Sequence, residues 1–302
     1  MKKIAICISG QFRTFDKVWK ENLKILKKDE KYQYFFFCFF WKTKGDTQRI
    51  LPGHNRTYKN LFLDPFYYYP KKSNQKIFKN KIKKIIPNAK IKISKVSEKN
   101  FFYKDNVLRL IQNYPHNKNV AFNSFCLWKS IQICDQMRID FQKKNKIKFD
   151  CVMRIRPDWK LKKNPINKFF KMRNDIIFFD STSIQNEVKC SASVTDVCIV
   201  SKTKIMDIVS KLYERWVKEL KKKGWIKYTF GYKESNYKLV FETALFWFLK
   251  IKNIKILKNT VGEYGFIYRS SYENSFSKRI FSIKLLTSQI REIPIKIINT
   301  TK

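Results

Sequence analysis

The sequence predicts an α/β protein with a mostly parallel central sheet flanked by helices. Three observations predict it. The chain opens with a continuous apolar run, Lys3 to Ser9, of the kind found in strands covered on both faces. A helical pattern and a second apolar run follow at the spacing of a βαβ unit. With 302 residues, 44% of them hydrophobic and 16% aromatic, the chain can bury a substantial core.

The elements follow in order. A strand over Lys3 to Ser9 ends in a polar turn, Gly10 to Thr14. A helix spans Asp16 to Lys28, with Val18, Trp19, Asn22, Leu23 and Leu26 near one face. Tyr34 to Trp41 is the second strand. Residues 42–118 carry Pro52, Pro65, Pro70, Pro87 and Pro115 and read as less regular, with one short alternating strand at Ile91 to Val96. Val120 to Lys144 is clearly helical, with Leu127, Ile131, Cys134, Met137 and Phe141 close to one face. Cys151 to Arg156 is a strand that Pro157-Asp158 ends. Ile176 to Phe179 and Val194 to Val200 are further strands. Ser201 is placed to cap a helix running to Lys222, with Ile205, Ile208, Val209, Leu212, Trp216 and Leu220 at helical spacing. Leu239 to Lys250 reads as a helix and Ile254 to Leu257 as a last strand.

Composition excludes several functions. The formal net charge is +41, and 53 of the 65 basic residues are Lys. Lys, Ile, Asn, Phe and Tyr are residues of AT-rich codons, so much of this charge reads as bias on a solvated surface. A field of that sign would nevertheless attract nucleic acid, an anionic membrane leaflet or phosphorylated substrates. There are 7 Gly and 2 His, with no GxGxxG and no GxxxxGK[ST] segment. His54 and His116 sit in loop-like stretches, against HExxH zinc chemistry or a Ser-His-Asp triad. The seven Cys are scattered, with no CxxC pair, which points to a reducing compartment rather than a disulfide framework. The apolar start is too short for a signal sequence, and the longest apolar run falls far below the ~20 residues of a membrane helix.

Four segments bear chemistry. Ser9-Gly10-Gln11-Phe12-Arg13 lies at the carboxyl end of the first strand, where open α/β sheets bind ligands. Gly10 permits close backbone approach, while Gln11 and Arg13 offer donors to a base, ribose or phosphate. Arg154-Ile155-Arg156-Pro157-Asp158 puts two of the 12 Arg at the end of an apolar strand. Arg suits bidentate pairing with phosphate. Asp158 suits a divalent cation or a ribose hydroxyl, and an internal Arg–Asp pair is the structural alternative. Asp196, in Ser193-Val194-Thr195-Asp196, adjoins an apolar strand and suits a base or a sugar-hydroxyl ligand. Glu242, in Phe241-Glu242-Thr243-Ala244, opens a helix, where the dipole alone favours an acid.

In this order the segments resemble bacterial and viral sugar-nucleotide glycosyltransferases of the GT-A type, of the lipopolysaccharide and capsule synthesis kind. The likeness spans residues 3–258. It rests on the SGQxR opening at Ser9 to Arg13, a strand ending near Trp41 and an aromatic-bearing helix start at Ala121 to Lys129. It continues through RxRPD at Arg154 to Asp158, S-x-x-D at Ser193 to Asp196 and [PF]-E at Phe241-Glu242. The resemblance implies one GT-A-like (Rossmann-like) domain over residues 1–260 and a basic C-terminal extension over residues 261–302. It implies hexosyl transfer from a nucleotide-sugar donor to a glycan or lipid-linked glycan acceptor, in surface polysaccharide synthesis.

By the same resemblance Ser9, Gly10, Gln11, Arg13, Arg154, Arg156 and Asp158 bind the donor, and Asp196 and Glu242 are the candidate catalytic acids. Metal-dependent enzymes of this type show Asp-x-Asp where this chain has Arg156-Pro157-Asp158. Either Asp158 alone anchors Mn²⁺ or Mg²⁺, or Arg154 and Arg156 supply the charge at the diphosphate. A cytoplasmic location is expected, peripheral at the inner face of a membrane. In the tail, Phe276, Ile280, Ile283 and Ile290 share a helical face flanked by Lys278, Arg279, Lys284 and Arg291, a pattern that can lie on an anionic membrane surface. Two other readings stand beside this one. One is a catalytically inactive glycosyltransferase-like scaffold. The other is a basic nucleic-acid-binding protein, against which the Lys are spread along the whole chain and no RRM, KH or zinc-finger pattern appears.

Overall fold

The computed structural model of the chain describes residues 1–12, 14–42, 75–95, 118–179, 197–223, 245–246, 248–249, 252–258 and 263–267. The first βαβ unit is β1 (Lys2–Gln11), α1 (Phe15–Lys27) and β2 (Tyr32–Lys42). Next come α2 (Gln75–Ile85), β3 (Lys90–Lys95), the long α3 (Lys118–Lys144) and β4 (Cys151–Ile155). The chain continues through β5 (Trp159–Leu161), α4 (Pro165–Met172), β6 (Ile176–Phe179) and β7 (Cys198–Ser201). It then forms α5 (Thr203–Ser210), α6 (Leu212–Lys223), β8 (Ile256–Lys258) and β9 (Gly265–Ile267).

Seven strands make one sheet in the order β3-β2-β1-β4-β7-β6-β8, and β5 pairs with β9 in a separate ribbon. Within the large sheet only β7 runs antiparallel to its neighbours, β4 and β6. The expected α/β architecture, mostly parallel with helices on both faces, is therefore what the chain adopts. The alternation of side chains along a strand sorts the core into two layers. Ile4, Ile6 and Ile8 of β1 face the layer that holds Val18 and Trp19 of α1, Phe78 and Ile82 of α2, and Ile166 of α4. Ala5 and Cys7 face the layer that holds Ile131 and Cys134 of α3, Val209 of α5 and Trp216 of α6. Both layers cover β1, which is why its sequence is an uninterrupted apolar run.

Several elements differ from expectation. β1 does not stop at Ser9; parallel pairing of Gly10 with Phe40 and of Gln11 with Trp41 carries the ladder through the polar residues. The helix expected from Ser201 to Lys222 is two helices. Ser201 is the last residue of β7, the N-cap is Lys202, and Lys211 separates α5 from α6. The amide of Lys211 bonds to the Ile208 carbonyl, a tightened turn that redirects the chain. The stripe buried on α3 is Phe125, Trp128, Ile131, Cys134 and Arg138, rotated from the expected one, and Leu127, Met137 and Phe141 are only partly buried. The strand expected at Ile254 to Leu257 is β8, Ile256–Lys258, and it is not the last, since β9 follows it.

Helix α2 falls in the stretch that read as irregular. Its apolar face is narrow, with Phe78 and Ile82 buried among lysines. Helix α4 carries an ordinary start signal: Asn164 caps it by accepting from the Ile166 amide, and Pro165 occupies the first turn. Of the helix expected over Leu239 to Lys250, the described residues Leu245, Phe248 and Leu249 are buried in the α3-side core. Residues 268–302, including the basic tail, lie outside the described residues.

Candidate active site

The sheet order creates one switch in chain direction. From β1 the chain moves to β2 and β3 on one side, then returns through α3 to β4 on the other side of β1. The helix after β1 and the helix before β4 lie on opposite faces, α1 on one and α3 on the other. The carboxyl ends of β1 and β4 thus flank a crevice of the kind in which open α/β sheets bind ligands. The ends meet in register, with Cys7 beside Arg154 and Ile8 beside Ile155.

Two of the segments singled out by sequence meet there. Arg154 is 1% exposed and shares a sheet face with Cys7. Its Nε donates to Ser9 Oγ at 3.3 Å and its Nη2 to the Ser9 carbonyl at 3.4 Å. Gly10 has φ +136°, a backbone state that side-chain-bearing residues rarely adopt. A Cβ there would stand 3.5 Å from Pro157 Cδ, so the two strand ends touch at Gly10 and Pro157.

Arg156 and Asp158 form a fork. Nε of Arg156 donates to Oδ1 of Asp158 and Nη2 to Oδ2, both at 2.9 Å. The Asp158 side chain is 4% exposed and that of Arg156 20%, so Arg156 is the more accessible partner of the pair. The Arg156 amide donates to the carbonyl of Val197, the residue after Asp196. Arg13, Asp196 and Glu242 lie outside the described residues. Trp41, level with Gln11 across the ladder, donates through Nε1 to the Cys126 carbonyl of α3.

The turn after β4 is held by residues that sequence reasoning placed only on a helix face. Trp19 of α1 donates from Nε1 to the Pro157 carbonyl at 3.1 Å. Asn22, one turn further on and fully buried, donates from Nδ2 to the Trp159 carbonyl and accepts from the Leu161 amide, both at 2.8 Å. The Trp159 amide closes the turn onto the Arg156 carbonyl. The available signal was Asn22 itself, an amide within an otherwise apolar stripe, which demands partners from a neighbouring backbone. Helix α1 therefore clamps Arg156 to Leu161, and this fixes where the Arg156–Asp158 fork sits.

A divalent cation does not fit these residues as they stand. Both Asp158 oxygens accept from Arg156, and no group of three or more His, Cys, Asp or Glu side chains converges among the described residues. Asp158 would ligate Mn²⁺ or Mg²⁺ only by releasing the guanidinium. None of the described helices is long and apolar enough to cross a membrane.

No protein-family model and no curated protein sequence matches the chain. Among solved structures it is similar to mouse xyloside xylosyltransferase 1 in its apo form, with 9% identity, a TM-score of 0.38, and coverage of 86% of this chain and 84% of that one. It is also similar to the glycosyltransferase GlyE of Streptococcus pneumoniae TIGR4, with 8% identity and a TM-score of 0.35. That match covers 86% of this chain and 46% of the GlyE chain, so this chain spans under half the length of that protein.

Proposed function

We propose that the chain is a glycosyltransferase that moves a sugar from a nucleotide-sugar donor to a glycan or lipid-linked glycan acceptor in surface polysaccharide synthesis. The observation that supports the reading is the convergence at one crevice of the two most specific resembling motifs. Arg154 of RxRPD rests on Ser9 of SGQxR, and Pro157 lies against Gly10.

In this reading the bond between the anomeric carbon and the diphosphate oxygen breaks, and a bond from the acceptor hydroxyl to that carbon forms. The acceptor proton passes to a carboxylate, Asp196 or Glu242. The leaving diphosphate gathers negative charge, and preorganised cations at that point are the main source of stabilisation. Arg156 is suited to the task because its side chain is partly exposed and its guanidinium already pairs with an anion, Asp158, that a diphosphate would replace. Arg154 holds the Ser9 end of β1 in place, Gly10 and Gln11 present backbone and amide groups, and Arg13 adds a third guanidinium. Asp158 would hold a divalent cation only after releasing Arg156, and such a cation would supply charge to the same leaving group.

The test is a thermal-shift and calorimetric screen of nucleotide sugars and free nucleoside diphosphates, followed by turnover. Arg156→Ala is expected to weaken nucleoside-diphosphate binding by about 1.5–3 kcal/mol, the range for hydrogen bonds to charged groups. Unchanged binding in that variant, with the fold intact, would refute the assignment. The Arg156–Asp158 fork also favours a second reading, an inactive glycosyltransferase-like scaffold, because it closes the motif on itself. Binding of nucleotide sugar without turnover or hydrolysis would select the scaffold.

A further inference from the structure

We propose that the outer face of α2 is a docking surface for an anionic lipid bilayer. Residues 75–95 hold eight Lys and no Asp, Glu or Arg. Phe78 and Ile82 of α2 point into the core beside α1, which leaves the rest of the helix surface outside. That surface consists of Gln75, Lys76, Ile77, Lys79, Asn80, Lys81, Lys83 and Lys84, all exposed. On a helical wheel these lysines spread over both flanks of the outward arc, so no single edge carries the charge. Ile77 stands among them 53% exposed, one of three large hydrophobic residues with high exposure among the described residues.

Among the described helices α4 is also acid-free, but it holds only Lys168 and Lys171, and Lys168 lies 4.0 Å from Glu263; the others mix the signs. Helix α1 carries Asp16 and Glu21 among its lysines, and α3 carries Asp135 and Asp140. General lysine excess accounts for a positive surface; it does not account for five exposed Lys on one acid-free helix with an exposed Ile set among them.

The chemistry selects lipid over nucleic acid. Recognition of single strands uses aromatic platforms or Arg planes on which bases stack. The α2 surface offers neither, since every cation is Lys and Phe78 is buried. Lysines around one exposed aliphatic side chain suit an anionic leaflet, which takes charge at the headgroups and apolar contact just below them.

Position gives the surface a use. Phe78 packs on Phe12, 4.2 Å between ring centroids, and Phe12 directly follows Gln11 at the end of β1. Docking through α2 brings the β1–β4 crevice beside the bilayer. The proposal concerns binding alone and stands whether or not the crevice transfers sugar.

The experiment is co-sedimentation of the full chain with phosphatidylcholine vesicles, with and without phosphatidylglycerol, at rising salt. Binding is expected only with phosphatidylglycerol, and it should fall steeply with salt. A lysine near an anionic surface is worth about fivefold in partition coefficient. Lys79→Gln/Lys81→Gln/Lys84→Gln should therefore lose about a hundredfold. The control Lys204→Gln/Lys211→Gln/Lys218→Gln removes the same charge from exposed positions on α5, on α6 and at the turn between them, across the sheet, and should lose less than tenfold. Equal losses in the two triple variants would overturn the proposal in favour of the overall lysine excess. An unchanged α2 variant would overturn it outright. So would an α2 variant that lost affinity for a single-stranded oligonucleotide while its vesicle binding persisted.

Discussion

Replacing Asn22 tests whether α1 positions the candidate site through hydrogen bonds or merely packs against it. The Asn22 side chain is fully buried and makes two bonds of 2.8 Å to the backbone of β5, one as donor and one as acceptor. Trp159 and Leu161, whose backbone receives them, are 0% and 2% exposed, so water cannot replace the lost partner without rearrangement. Leaving one buried polar group unmade costs about 1–3 kcal/mol. Asn22→Ala orphans a carbonyl and an amide and should cost about 2–5 kcal/mol, allowing for partial rehydration of the vacated space.

Asn22→Leu separates the two explanations, because it restores volume and apolar contact but neither bond. Urea unfolding followed by tryptophan fluorescence reads the shift in midpoint at unchanged slope. The expected result is that Leu is no better than Ala. Leu within about 0.5 kcal/mol of the parent would refute the clamp and make α1 a simple packing element. A double-mutant cycle with Trp19→Phe should show coupling of about 0.5–3 kcal/mol, since both side chains hold the same turn.

Three further outcomes are expected. Gly265→Ala should separate β9 from β5, because its Cβ would lie 2.5 Å from the Lys160 carbonyl and 2.6 Å from the Trp159 ring; the cost should be about 1–3 kcal/mol, and a variant as stable as the parent in urea would contradict the packing. Burial pushes the Tyr34 phenol above its ordinary value of 10, and burial with the nearby Asp29 carboxylate pushes Tyr32 up to about 12. The folded chain then keeps protons that the unfolded chain releases, so stability falls as pH rises above 10; Tyr34→Phe should flatten that limb in an alkaline urea series. EDTA should leave the nucleoside-diphosphate thermal shift unchanged, because Arg156 occupies both oxygens of Asp158; a shift abolished by EDTA and restored by Mn²⁺ would show that the cation displaces the guanidinium.

The sequence by itself determined the first βαβ unit, the parallel sheet and the two motifs now found side by side. Long apolar runs and a helix-period stripe such as Val18, Trp19, Asn22 and Leu26 are local signals, and a motif at a strand end is placed by the strand. Helix α2 was not legible, because burial of only Phe78 and Ile82 is too thin a stripe to stand out from its lysines. The three-residue strands β5 and β9 are too short to show a period. The break at Lys211 left no mark in the pattern: Met206 and Val209 of α5 and Tyr213 and Trp216 of α6 keep helical spacing across it and belong to the same core.

The site divides the same way. Composition and spacing picked Ser9, Gly10, Arg154, Arg156 and Asp158 as groups needing partners. Arg156 and Asp158 pair locally, two residues apart, whereas the partners of Arg154, Trp19 and Asn22 were decided by registers and contacts between segments about 140 residues apart. Arg154 found Ser9 because β1 and β4 pair in parallel with Cys7 level with Arg154. Asn22 found β5 because α1 packs across that turn. A buried polar group must be satisfied, and sequence says that much; only the folded backbone says by whom.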